Sequence, residues 1–222
     1  MKTLDYLPNT DIHLYQDKEM FRINSDTRYL GEFLKVNKED TVLDIGTNNG
    51  ALLLYANKIG CKKLVGVDIN AKAIELCEEN MKLNNIVNYE LYSCKVQDLN
   101  IDKVDVIVCN PPYFSSGKRK DNENLKNARH DDNLSIDDLA MCCSKLIKDN
   151  GKVFIVYKSG ELVNLINCFN KFGFGIRNIK FIYDENKEYS NCFLIEVVKG
   201  YSNDVKVLNP IIITHWYNKK SS

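Results

Sequence analysis

Between residues 41 and 109 short apolar runs alternate with amphipathic stretches, and no other feature restricts the fold as tightly. Residues 41–45, 63–67, 89–96 and 104–109 have the length and branched apolar character of strands. Residues 51–59 and 71–83 carry apolar side chains at helical spacing. Strands alternating with helices make βαβ units, whose crossovers require parallel strands. Val104, Val106, Ile107, Val108 and Cys109 are nearly continuous in apolar character, as in a strand buried on both faces. The expected fold is therefore α/β and Rossmann-like: a mostly parallel sheet of about seven strands, about six helices over its two faces, and a closing antiparallel strand. Further on, Ser135 is placed to cap a helix through Leu139, Met141, Cys142 and Leu146, with Asn150-Gly151 ending it before a strand over residues 152–157. Residues 161–172 read as another helix, and 176–183 with 192–198 as an antiparallel pair across a turn at 184–190. Before the core, residues 21–28 lead into a helix over 29–36, with Ser25 or Asp26 as its N-cap. Residues 209–217 suggest a last strand and an aromatic tail.

Composition narrows the setting. The chain has 222 residues, enough for one sizeable core, and its 30 basic and 30 acidic residues cancel. No global field draws it toward nucleic acid or anionic lipid, so any such contact must come from a local patch. Its 8 cysteines include no Cys-x-x-Cys pair and mostly sit in apolar runs, which reads as free thiols in a reducing cytosol rather than disulfides or a metal site. Met1-Lys2-Thr3-Leu4-Asp5-Tyr6 lacks an apolar signal core, and no stretch is long enough for a membrane span. A soluble cytoplasmic chain is expected, with no metal, no membrane and no obligate protein partner.

Polar residues gather where the strands end. Asp44-Ile45-Gly46-Thr47-Asn48-Asn49-Gly50 occupies the first strand-to-helix turn, where glycine lets backbone approach a ligand. A pyrophosphate site would need glycine where Asn48 and Asn49 stand, which disfavours a nicotinamide dinucleotide. Asn tolerates left-handed backbone better than other non-glycine residues, so the turn survives Asn48. Asp68 ends the second strand, where a carboxylate accepts from ribose hydroxyls; its alternative role is to cap the helix at Ala71. Asp98 follows the third strand, as an acceptor for an adenine amine or a solvated loop carboxylate. Asn110-Pro111-Pro112-Tyr113 follows the fourth. Two prolines remove two N–H donors, which leaves an acceptor-rich wall. The Asn110 side-chain oxygen and the Pro111 carbonyl suit a planar –NH₂, and the Tyr113 ring suits the base or amide that carries it.

Asn110-Pro111-Pro112-Tyr113 resembles the signature of S-adenosylmethionine-dependent methyltransferases that act on planar –NH₂ nitrogens, and Asp44 to Gly50 resembles their first motif, with Asn48 in place of its middle glycine. Phe21-Arg22-x-x-Ser25-Asp26-Thr27, Asn110 to Phe114 and Ala128-Arg129-His130-Asp131 sharpen this. Together they resemble the bacterial family that N6-methylates an adenine beside the anticodon of valine tRNA, Asp131 standing where that family usually has Glu. The resemblance implies S-adenosyl-L-methionine as cofactor and tRNA as partner. It implies catalytic roles for Asn110, Pro111, Pro112 and Tyr113. Cofactor contact is implied for Asp44, Gly46, Thr47, Asn48, Gly50, Asp68, Ile69, Asp98, Leu99 and Asn110. Lys118, Arg119 and Lys120 form a basic run suited to an RNA backbone or simply to solvent, and Arg129 and His130 suit a phosphate or an ordered loop. Trp216, Tyr217, Lys219 and Lys220 offer a stacking surface or pack on the sheet. The implied organisation is a single methyltransferase domain over 1–222: a helical or loop cover over 1–40, a catalytic core over 41–200, a final strand and tail over 201–222. Alternatives are methylation of another planar –NH₂, in ribosomal RNA or a release-factor glutamine, and a non-catalytic RNA- or protein-binding module. Release-factor enzymes usually carry an extra N-terminal helical domain, so the short stretch before the strand at residue 41 disfavours them, and DNA adenine enzymes generally add a sizeable recognition domain, for which no insertion here is large enough.

Overall fold

The computed structural model describes residues 2–111, 134–202 and 204–214. In chain order these form β1 (Lys2–Tyr6), β2 (His13–Asp17), α1 (Ser25–Phe33), β3 (Thr41–Ile45), α2 (Ala51–Ile59), β4 (Lys63–Asp68), α3 (Ala71–Leu83), β5 (Tyr89–Ser93) and β6 (Val104–Cys109). They continue with α4 (Ile136–Leu146), β7 (Ile147–Lys158), α5 (Leu162–Lys171), β8 (Phe174–Asp184), β9 (Ser190–Lys199) and β10 (Lys206–Ile213). β3 to β10 build an 8-stranded sheet in the order β10-β8-β9-β7-β6-β3-β4-β5. Within it only β9 is antiparallel to its neighbours, β7 and β8. The expected Rossmann-like α/β fold is present, and the last strand suggested over 209–217 is β10, which starts earlier, at Lys206, and adds in parallel to β8 as an eighth strand at the sheet's outer edge. Pro210 is tolerated there: the register shifts between Leu208 and Ile211, so the missing N–H interrupts no regular pairing.

Strand alternation builds two cores. Leu43, Ile45, Val65, Val67, Ile107, Cys109, Val153 and Ile155 point to one face, beneath α4 and α5. Val42, Leu64, Val106, Val108, Phe154 and Val156 point to the other, with Leu30, Leu53, Cys77 and Met81 from α1, α2 and α3. A sheet with both faces covered must read as continuously apolar, which is why the central strands are legible in the sequence.

Several boundaries differ from expectation, each for a local reason. α1 begins at Ser25 rather than residue 29, and its cap is Asn24, not Ser25 or Asp26: Asn24 is extended and its Oδ1 accepts the Thr27 N–H at 2.9 Å. β5 stops at Ser93, the partner of Asp68, because residues 96–98 close a 3-10 turn. β7 starts at Ile147, immediately after α4. Asn150-Gly151 therefore lies inside a strand, where Asn150 takes φ 61° and the pairing with β6 jumps from Ile147 to Lys152. The hairpin of β1 and β2 was not anticipated. It lies on α3 through Asn80, which is fully buried: its Oδ1 accepts Tyr15 N–H at 2.6 Å and its Nδ2 donates to Tyr15 O at 3.0 Å.

Candidate cofactor and catalytic site

The chain order of the sheet sets the site. From β3 it moves outward through β4 to β5, then returns to the other side of β3 with β6. Such a reversal opens a crevice at the carboxyl ends of the strands. Ile45 pairs with Cys109, Ile45 with Val67, and Asp68 with Ser93. Gly46 and Asn110, each one residue beyond this register, thus leave adjacent strands side by side, with Asp68 on the next strand over.

The turn after β3 is built from left-handed residues: Gly46, Asn48 and Gly50 take φ 74°, 49° and 79°. The Gly46 and Thr47 amides both donate to Val67 O, at 2.9 and 3.1 Å, anchoring the turn to β4. A Cβ at Gly46 would meet nothing within 4 Å, so open space lies beside it, whereas one at Gly50 would press to 2.6 Å on Cys77 Sγ. Asn48, where the methyltransferase motif has glycine, makes two bonds. Its N–H donates to Asp68 Oδ2 at 2.9 Å, and its Nδ2 donates to Phe21 O at 2.5 Å, joining the turn to the segment before α1. Asp68 does not cap α3; Asn70 does, accepting from Lys72 N, and Asp68 Oδ1 in turn accepts from Asn70 N at 2.9 Å. Each Asp68 oxygen keeps a second lone pair for a hydroxyl.

Asp44 is 1% exposed, and its Oδ2 accepts the Thr47 hydroxyl at 2.9 Å while Oδ1 has no partner. Burial pushes its carboxyl up to about 7, opposed by the Thr47 hydrogen bond and reinforced by the Asp68 charge. Asn49 Nδ2, on the same turn, is buried and also unpartnered. An unfilled acceptor, an unfilled donor and open space at Gly46 suit a ligand bearing charges of both signs, as S-adenosylmethionine does in its sulfonium, ammonium and carboxylate. The residues present fit the cofactor. Ile69 is 49% exposed beside Asp68 and Asp98 is exposed, so both are open to a ligand. Leu99 is buried and packs in the core, and the buried Thr47 side chain is turned to Asp44; neither side chain faces the crevice freely.

Asn110 is half-buried, and its Nδ2 donates to Thr27 Oγ1 at 3.0 Å. Thr27 stands on the first turn of α1 and donates its hydroxyl to Asn24 Oδ1 at 3.1 Å. Pro111 is described; Pro112, Tyr113, Lys118, Arg119, Lys120, Arg129, His130, Asp131, Trp216, Tyr217, Lys219 and Lys220 lie outside the described residues. Among the described residues no group of His, Cys, Asp and Glu could hold a metal ion, and no helix is long and apolar enough to cross a membrane.

Sequence reasoning missed Asn24, Thr27 and Asn80 as contributors. Asn24-x-x-Thr27 ahead of an apolar helix is a legible capping signature. Asn80, which also donates to Asn49 O at 2.9 Å, was marked by sitting on the helical face of Leu76, Cys77 and Met81.

The chain is similar to several known proteins. Residues 28–111 match the family described as ribosomal protein L11 methyltransferase. A tRNA1(Val) (adenine(37)-N6)-methyltransferase of Cytophaga hutchinsonii is 29% identical over 175 residues, 76% of this chain and 73% of that protein. One of Vibrio vulnificus is 34% identical over 137 residues, 60% of this chain and 57% of that protein. Among solved structures, a methyltransferase from Pyrococcus furiosus superposes with a TM-score of 0.64 at 19% identity, covering 87% of this chain and 92% of that one. A Streptococcus mutans protein described as a methyltransferase and solved with SAH superposes at 0.53 and 16% identity, covering 80% of this chain and 99% of that one. The chain is an S-adenosylmethionine-dependent methyltransferase of Rossmann-like fold, and it is similar to relatives that carry the name tRNA1(Val) (adenine(37)-N6)-methyltransferase.

Proposed function

We propose that this enzyme transfers a methyl group to the N6 amine of an adenine in tRNA, beside the anticodon of valine tRNA as in the relatives that bear that name. The observation that carries the reading is the Asn110 amide, held at the carboxyl end of β6 with its nitrogen already engaged and beside the Gly46 turn. S-adenosylmethionine, when bound, supplies an electrophilic methyl on a sulfonium. Asp68 would accept from the cofactor's ribose and Asp98 from its adenine; the second lone pairs of the Asp68 oxygens and the exposure of Asp98 support these roles. The Asn110 side-chain oxygen and the Pro111 carbonyl accept the two hydrogens of the target amine. Those bonds strengthen as positive charge develops on nitrogen, so they favour the transition state over bound substrate. Holding the amine in line for transfer contributes roughly 7 to 11 kcal/mol. No strong base is needed, because the ammonium formed loses its proton readily to water.

Unstacking the target base costs a few kcal/mol, and stacking on Tyr113 returns about 1 to 3. Lys118, Arg119, Lys120, Arg129 and His130 are proposed to meet the RNA backbone. We read the chain as one domain, with residues 1–40 as its cover and 41–200 as its catalytic core, working in the cytoplasm where tRNA is processed.

The test is mass spectrometry of nucleosides from tRNA incubated with the enzyme and cofactor: N6-methyladenosine is expected. Label appearing only in ribosomal RNA or a release-factor glutamine would replace this substrate. Asn110→Ala should lower turnover at least about 100-fold while cofactor affinity by calorimetry stays nearly unchanged. Equal loss of both would contradict the role given to Asn110.

A further inference from the structure

The direction of the hydrogen bonds between α1 and β6 is determined. The Thr27 backbone N–H can only donate, so the Asn24 atom that receives it at 2.9 Å is oxygen. The same oxygen lies 3.1 Å from Thr27 Oγ1 and takes the hydroxyl's single hydrogen. Toward Asn110 the hydroxyl then presents lone pairs alone, so the Asn110 atom at 3.0 Å is the –NH₂. The planar amide is thereby oriented with its oxygen at the opposite end. Thr27 is 9% exposed, so little water competes for that lone pair.

We propose that Thr27, set by Asn24, is a positioning residue that selects which end of the Asn110 amide faces the substrate amine, and so makes the crevice accept planar –NH₂ donors. The proposal rests on the substrate reading above. The two ends of a carboxamide are nearly the same size, so packing alone does not choose between them. An amide turned the other way would present N–H groups to an –NH₂, and donor would face donor. The same coupling explains why a helix outside the βαβ core bears on catalysis: α1 carries the acceptor that fixes the residue at the end of β6.

Thr27→Val and Thr27→Ser in the full-length protein test this. Valine matches threonine in shape, and the helix cap persists because Asn24 still accepts the residue 27 N–H. Thr27→Val should lower kcat for methyl transfer to tRNA about tenfold or more, with KM and cofactor affinity changed less than about threefold. Thr27→Ser, which keeps the hydroxyl, should restore most of the rate. The Asn110 side-chain amide peaks in a ¹⁵N–¹H spectrum, identified by their loss in Asn110→Ala, should shift in the Val variant and return in Ser. A wild-type kcat in Thr27→Val, equal loss in Thr27→Ser, or unmoved amide peaks would overturn the proposal. If the wild-type enzyme transfers no methyl to tRNA adenine, the substrate reading falls separately. The amide peaks then decide the orientation: unmoved peaks overturn it, and shifted peaks sustain it.

Discussion

Asp44 is an acidic side chain placed where its charge is costly. An unfolded aspartate releases its proton near 3.8, while burial keeps the folded one protonated up to about 7. Between those values the folded state binds more protons than the unfolded one, so stability falls as pH rises and levels off above about 7. Three pH units of such linkage correspond to about 4 kcal/mol. Thermal melts of the cofactor-free protein should therefore lose stability from pH 4 to 7, and Asp44→Asn should flatten that slope; a parallel slope in the variant would assign the effect elsewhere. A positively charged ligand near the unpartnered Oδ1 favours the ionised form, so S-adenosylmethionine binding near pH 6 should release protons, seen as a dependence of calorimetric enthalpy on the buffer. Asn48 shows the opposite economy. It accepts a left-handed backbone, and its side chain and amide reach Phe21 O and Asp68.

The N-terminal hairpin and α1 contribute to the site without belonging to the sheet that forms it. Asn80 ties three pieces together, with Tyr15 in β2 on one side and the Asn49 carbonyl of the cofactor turn on the other. Because it is fully buried, Asn80→Ala leaves those backbone groups without partners, each costing about 1 to 3 kcal/mol. The variant should melt at lower temperature, be cut faster by protease within residues 2–17, and bind S-adenosylmethionine more weakly. Intact cofactor affinity would show that the hairpin does not support the turn. α1 sits close on α2, since a Cβ at Gly31 would come within 2.3 Å of the Tyr55 ring.

Over the whole chain, charge is balanced, with 30 basic against 30 acidic residues. A protein without net charge must hold RNA by a patch, and its salt dependence reports the size of that patch. Replacing Lys118, Arg119 and Lys120 together by alanine should reduce the slope of log affinity for tRNA against log salt by about 2 to 3, while leaving cofactor affinity unchanged. An unchanged slope would show that the run is merely solvated. The same balance means that the sheet's switch point, not long-range steering, defines where the substrate base must arrive.

Much of this was readable in the chain before folding. The bounds of β3, α2, α3 and β6 matched expectation because each has a single period and a clear stop, such as Gly46 after β3 or the prolines after Asn110. Asn110, Asp68 and Gly46 were identifiable as candidates because a polar residue ending an apolar strand is a local signal. The β1–β2 hairpin and the early start of α1 were not, since short, exposed or Asn-capped segments carry little periodicity, and of the last strand only residues 209–213 were legible, not its start at Lys206. Helix and strand alternation is a property of neighbours along the chain, and neighbours along the chain wrote it. The meeting of Thr27 with Asn110, and of Asn80 with Tyr15 and Asn49, depends on hydrogen bonds between distant residues. Only the tertiary fold brings them together, and there the hydrogen bond from Asn110 to Thr27, not packing, fixes the orientation of the amide on which the proposed chemistry turns.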